Sequence, residues 1–148
     1  MKTILYVHDQ QASPSPVASY LEMAGYQVEL VVNGEQAIQR IGKSLPSLLL
    51  IDVLIEGKNG FEVCRMIRKK VPSDQLPIIL ASSIYRSRIY REEAMQAGAQ
   101  LYVLKPFQYE ELVQSLHELL DVHACLLSAH QSQEVTEEVH QPTRRSND

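Results

Sequence analysis

The stretch LLLIDVLIEGKNG, Leu48 to Gly60, opens with four consecutive apolar residues and then stops at an acid. An unbroken run such as Leu48-Leu49-Leu50-Ile51 is the pattern of a parallel strand buried on both faces, because neither side of its pleat meets water. Asp52 falls where that strand ends and its loop begins. In open α/β sheets the carboxyl edge of the strands is where ligands bind and chemistry is done. An isolated acid at such a place caps a turn more often than it reacts, so the neighbouring elements decide its meaning.

Working outward, the chain alternates strands and helices. Thr3 to Val7 (TILYV) reads as a first strand that delivers His8 and Asp9 at its end. Ser13-Pro14-Ser15-Pro16 supplies the hydroxyl cap and first-turn proline of a helix, whose stripe is Val17, Tyr20, Leu21 and Ala24 and whose stop is Gly25. Gln27 to Val32 is the second strand. Asn33-Gly34 then leads into a helix from Glu35 to Ile41, stopped by Gly42. Beyond the central strand, Val63, Cys64, Ile67 and Val71 make a third helical stripe closed by Pro72. Pro77 to Ala81 is the fourth strand, followed at once by Ser82-Ser83. Tyr90, Ala94 and Ala97 mark a short fourth helix ending at Gly98. Gln100 to Leu104 is the fifth strand and runs into Lys105-Pro106. A last helix starts near Gln108, with Leu112, Val113, Leu116, Leu119 and Leu120 on one face and Leu127 able to extend it.

Five such units predict a doubly wound α/β domain with a five-stranded parallel sheet, right-handed crossovers and the flavodoxin-like strand order 2-1-3-4-5. The folded domain is expected over residues 1–127. From Ser128 only Ala129, Val135 and Val139 are apolar, so residues 128–148 read as a disordered tail or linker that cannot offset its own ordering entropy.

Composition removes several function classes. With 148 residues and 45% hydrophobic content the chain is one ordinary globular domain, and no apolar run approaches the ~18 residues of a membrane span. No secretory h-region follows Met1, where the apolar stretch is only Ile4 to Val7, so a cytoplasmic location away from membranes is expected. Fourteen basic against eighteen acidic residues give a formal charge of -4, without the basic block that direct nucleic-acid binding would need. Cys64 and Cys125 lack CxxC spacing and read as reduced side chains.

In this topology His8, Asp9, Asp52, Ser82 and Lys105 all arrive at one sheet edge. Two carboxylates and a nearby carbonyl make a hard, oxygen-rich site suited to Mg²⁺ or Mn²⁺. A hydroxyl and an ammonium beside them would neutralise the oxygens of a phosphoryl group on its other sides.

From Met1 to about Leu120 the chain resembles the receiver domains of two-component response regulators. The resemblance rests on the acidic end of the first strand, on IDVLIEGKNG with its glycine eight residues after Asp52, on LPIILAS and AGAQLYVLKPF, and on their order. It implies that Asp52 is the phosphoacceptor, with Asp9 and the backbone carbonyl of Leu54 as further metal ligands. Ser82 would be the switch hydroxyl, Lys105 its counter-charge and Tyr102 the switch aromatic that turns inward, while the bond between Lys105 and Pro106 would be cis. The implied partners are a histidine kinase or phosphotransfer protein as donor and a downstream protein that reads the fourth helix, fifth strand and fifth helix. Val122, Leu126 and Leu127 offer apolar surface for a homodimer. Three departures stand out: His8 replaces one of the family's paired acids, leaving an outer-shell metal position; Glu56 replaces a frequent proline; and Leu54 and Ile84 replace polar flanks. His8 and Glu56 suggest an alternative of the same fold, a pseudo-receiver that binds partners without being phosphorylated. A phosphatase or dehalogenase-like hydrolase is disfavoured, because Leu54 stands where its second acid belongs. A flavin site would need a glycine-rich phosphate loop that Asp9 to Pro16 lacks.

Overall fold

The computed structural model describes residues 2–8, 16–55 and 57–136, with side chains as far as residue 124. Asp9, the residues up to 15 and Glu56 lie outside the described residues, and so do residues 137–148 and the side chains of Cys125, Leu126 and Leu127. The order of elements is β1 (Thr3–Val7), α1 (Pro16–Met23), β2 (Gln27–Val31), α2 (Gly34–Lys43), β3 (Leu48–Asp52), α3 (Gly60–Arg68), β4 (Ile78–Ser82), α4 (Arg88–Ala97), β5 (Leu101–Leu104) and α5 (Tyr109–Thr136). All four strand pairings are parallel, and the sheet order is β2-β1-β3-β4-β5, as expected.

Strand alternation sorts the core into two layers. On one face Leu5, Val7, Leu49, Ile51, Ile78 and Leu80 meet the apolar sides of α2, α3 and α4. On the other, Ile4, Tyr6, Leu48, Leu50 and Ile79 meet Val17 and Leu21 of α1 and Leu112, Leu116 and Leu120 of α5. Because β3 and β4 are covered on both faces, every residue in them is buried. Truncating one of their leucines or isoleucines to alanine costs about 2–5 kcal/mol in sites of this kind. Among the described residues no helix is long and apolar enough to cross a membrane.

Two element ends differ from the sequence reading. The helix α2 passes through Gly42 to Lys43, since Gly42 keeps a negative φ and the extended cap is Ser44, two residues before Pro46. A residue preceding proline is pushed away from helical ψ, so the stop belongs to the Leu45-Pro46 pair and not to the glycine. Arg40 seals that end by donating to the Ser44 carbonyl at 2.6 Å. The last helix runs past Ser128 to Thr136, into the stretch expected to be a tail. Nothing between Ser128 and Thr136 breaks a helix; the next proline is Pro142.

The third helix is positioned by its first residue. Gly60 donates its amide to the Val53 carbonyl at 2.7 Å, and a Cβ at Gly60 would stand 2.7 Å from the Asp52 carbonyl oxygen and 2.9 Å from the Val53 Cα. Only glycine lets α3 start this close to the end of β3. Asn59 and Glu62 close a reciprocal capping box over the same turn.

Candidate functional site

Asp52 ends β3 with only 3% of its surface exposed, and register places it beside Ala81 of β4. Its carboxylate accepts a hydrogen bond from the Lys105 ammonium at 3.1 Å on Oδ2. Lys105 reaches that point because its amide is anchored on the Ser82 carbonyl at 2.9 Å and because it directly follows β5. The Lys105–Pro106 bond is cis, and the Lys105 ammonium lies 5.7 Å from the centre of the Phe107 ring. A small cleft of about 70 Å³ opens between these groups, lined by Asp52, Leu54, Ala81, Ser82, Ser83 and Lys105. Two larger grooves, of about 420 and 510 Å³, lie against the β5–α5 connection and between α2 and α3, and neither contains the Asp52 carboxylate. Of these three spaces among the described residues, the small cleft combines a buried carboxylate, a hydroxyl and a cation.

Ser82 ends β4 in the same way and is also buried. Its Oγ accepts from the amides of Ile84 at 3.1 Å and Tyr85 at 3.0 Å, which folds the β4–α4 loop back over the strand end. Tyr102, on β5, is turned into the core with 2% exposure. Its hydroxyl donates to the Tyr85 carbonyl, and its ring lies 6.2 Å from Phe61. Burial pushes the Tyr102 phenol above its ordinary pKa, while a hydrogen bond with Ser82 and the charge of Arg91 pull the other way. One connected set of hydrogen bonds therefore runs from Ser82 through the loop amides and the Tyr85 carbonyl to Tyr102.

His8 is buried at the end of β1, its amide bonded to the Val31 carbonyl at 3.1 Å, with its ring 5.4 Å from that of Tyr6. Asp9 follows His8 directly in the chain and lies outside the described residues. Leu54 lies in the bend beyond Asp52 and faces the cleft, and no backbone hydrogen bond among the described residues ends on its carbonyl. The Asp52 carboxylate and the Leu54 carbonyl are hard oxygens, the donor type that Mg²⁺ or Mn²⁺ takes.

Tyr6 was legible in the sequence only as a strand residue. Its hydroxyl donates to Asp52 Oδ1 at 3.2 Å and lies 3.4 Å from Oδ2, so a phenol as well as an ammonium holds the carboxylate. The usable signal was a polar-tipped ring in a strand otherwise aliphatic from Ile4 to Val7. Cys64 has no part in the site. Its thiol is buried on α3, donates to the Ala97 carbonyl at 3.3 Å, and is pushed by burial up to about 11.

A sequence model of the response regulator receiver domain matches residues 4–117. The phosphate regulon transcriptional regulatory protein PhoB of Rhizobium meliloti (strain 1021) is 31% identical over 97% of this chain and 64% of its own length. The response regulator MprA of Mycobacterium leprae (strain TN) is 35% identical over 79% of this chain and 50% of its own length. This chain thus spans 64% of the length of the first of these relatives and half of the second. Among solved structures, the response regulator protein TrrA of Thermotoga maritima, crystallised in complex with Mg²⁺-BeF, superimposes with a TM-score of 0.70 at 32% identity. That match covers 80% of this chain and 99% of that one.

Proposed function

This chain belongs to the response regulator receiver family, and from that premise we propose that Asp52 accepts a phosphoryl group from a histidine kinase or phosphotransfer protein. The observation that carries the reading is the Lys105 ammonium 3.1 Å from the Asp52 carboxylate, at a buried strand end that opens on a cleft the size of a small oxyanion. A buried acid needs a partner charge, and this lysine supplies one on the side where a phosphoryl group would bring more negative charge.

In the proposed reaction an Asp52 Oδ attacks the donor phosphorus, and the phosphorus–donor bond breaks with its electron pair leaving on the donor. Lys105 stabilises charge on the transferring oxygens. Ser82 donates its hydroxyl proton to one of them while exchanging its present contacts with the Ile84 and Tyr85 amides. Asp52, the Leu54 carbonyl and Asp9, with His8 in the outer shell, are the residues that would hold Mg²⁺, which would supply positive charge for the remaining phosphoryl oxygens. Because Tyr102 is already inside, the signal passes as rewiring of the Ser82–Tyr85–Tyr102 hydrogen bonds more than as entry of the ring. The readout surface is α4, β5 and α5, and the partners on it are a downstream protein or a second copy of the chain.

Beryllofluoride with Mg²⁺, a mimic of the phosphoryl group, tests this reading in solution. The expected result is Mg²⁺-dependent amide shifts at Ser82, Tyr85 and Tyr102, with sedimentation of the same samples reporting any dimer. Amide spectra that ignore beryllofluoride at millimolar Mg²⁺ would contradict the phosphoacceptor reading and favour a pseudo-receiver.

A further inference from the structure

Tyr6 and Asp52 meet because of strand register. Tyr6 of β1 stands opposite Leu50 of β3, and Asp52 is the next residue of β3 on the same face, within the span of an aromatic ring. Tyr6 is 3% exposed and belongs to the core layer beneath α1 and α5. It does not line the cleft that Asp52, Ser82 and Lys105 enclose. The phenol thus grips the carboxylate from the core side, away from the space a phosphoryl group would occupy.

That position makes the hydrogen bond sensitive to what happens at Asp52. A hydroxyl bonded to a carboxylate is about twice as strong a contact as one bonded to a neutral acceptor. When an Asp52 oxygen bonds to phosphorus, the other becomes the neutral carbonyl of an acyl phosphate. The contact weakens, and a group that interacts better with one of two states draws the equilibrium toward that state.

We propose that Tyr6 is a built-in bias on the phosphoacceptor, slowing uptake of the phosphoryl group by Asp52 and hastening its loss. In uptake, its proton reduces the charge available to the attacking carboxylate. In loss, water attacks phosphorus and the Oδ–P bond breaks with its pair returning to Asp52; the waiting phenol stabilises that departing carboxylate, and the proton of the water goes to solvent. The same hydrogen bond thus acts in opposite senses on the two rates. The inference rests on the phosphoacceptor role of Asp52.

The test measures phosphoryl uptake from a small acyl phosphate with Mg²⁺, and its loss after the donor is removed, by intact mass. Tyr6→Phe keeps the ring and removes the hydroxyl. It should raise the ratio of uptake rate to loss rate about five-fold. Tyr6→Leu, which loses ring and hydroxyl together, should repeat that change while unfolding at lower denaturant. The ratio would then follow the hydroxyl and the stability the packing. A parent protein that is phosphorylated, with a Phe variant whose ratio is unchanged or lower, overturns this inference alone. A parent that takes up no phosphoryl group overturns the phosphoacceptor reading and the inference with it.

Discussion

Leu54 stands two residues beyond Asp52 with 40% of its surface exposed, and Ile84 stands two beyond Ser82 with 59% exposed. Hydrolysis of an acyl phosphate needs a water held in line with the phosphorus, and side chains that accept or donate hydrogen bonds can orient it. Neither Leu54 nor Ile84 can, so the phosphorylated form should be long-lived. Leu54→Asn should speed loss of the phosphoryl group about ten-fold, a modest share of what a positioned polar group can contribute. A decay rate by intact mass equal to that of the parent would rule this out. At this scale Asp52, Ser82 and Lys105 were legible, because each sits at a strand end where an apolar run stops and a reactive type appears. It did not show Tyr6, since a tyrosine in a buried strand reads as core filler until register reveals what its hydroxyl meets. Tyr102 was legible as a residue of a buried strand and, by resemblance, as the switch aromatic; its hydrogen bond to the Tyr85 carbonyl was not, because that contact depends on how the β4–α4 loop folds back.

The joint between β3 and α3 depends on a single missing methyl group. Gly60 has no positive φ to excuse it; it is required by contact, with the Asp52 carbonyl 2.7 Å from where a Cβ would lie. The two nearest neighbours at that point are backbone, which cannot rotate aside, and the Ile51 side chain lies 3.2 Å away. Gly60→Ala should therefore cost about 1–3 kcal/mol, the range for overpacking a filled site, and should also shift the end of β3 that carries Asp52. Denaturant unfolding measures the first effect; a midpoint within error of the parent would show that the joint is looser than these distances imply. Gly25 offers the contrast. Its φ of 104° favours glycine while nothing lies within 4 Å of where a Cβ would stand, so backbone conformation and not space restricts it. Element types were legible from periodicity, but ends were not always: Gly42 looked like a stop for α2, and the stop was set two residues before Pro46. The length of α5 was hidden for a related reason, since a polar sequence free of breakers can continue a helix that the apolar stripe of Leu112, Leu116 and Leu120 has begun.

Five parallel strands in the order 2-1-3-4-5 bring the ends of β1, β3, β4 and β5 to one edge, and no pair of those residues is close in sequence. Asp52 and Lys105 are 53 positions apart, and Tyr6 and Asp52 are 46. That convergence was legible because each βα unit is complete and the crossovers have one hand. The contacts themselves were not, because sub-ångström placement of side chains comes from packing against both layers of the core. Everything proposed for this edge depends on its accepting one phosphoryl group at Asp52. Intact mass spectrometry after treatment with a small acyl phosphate and Mg²⁺ reads that event without an intermediary. The parent protein should gain the mass of one phosphoryl group and Asp52→Asn should gain none; a parent that gains no mass, or a variant that gains as much as the parent, would refute the assignment.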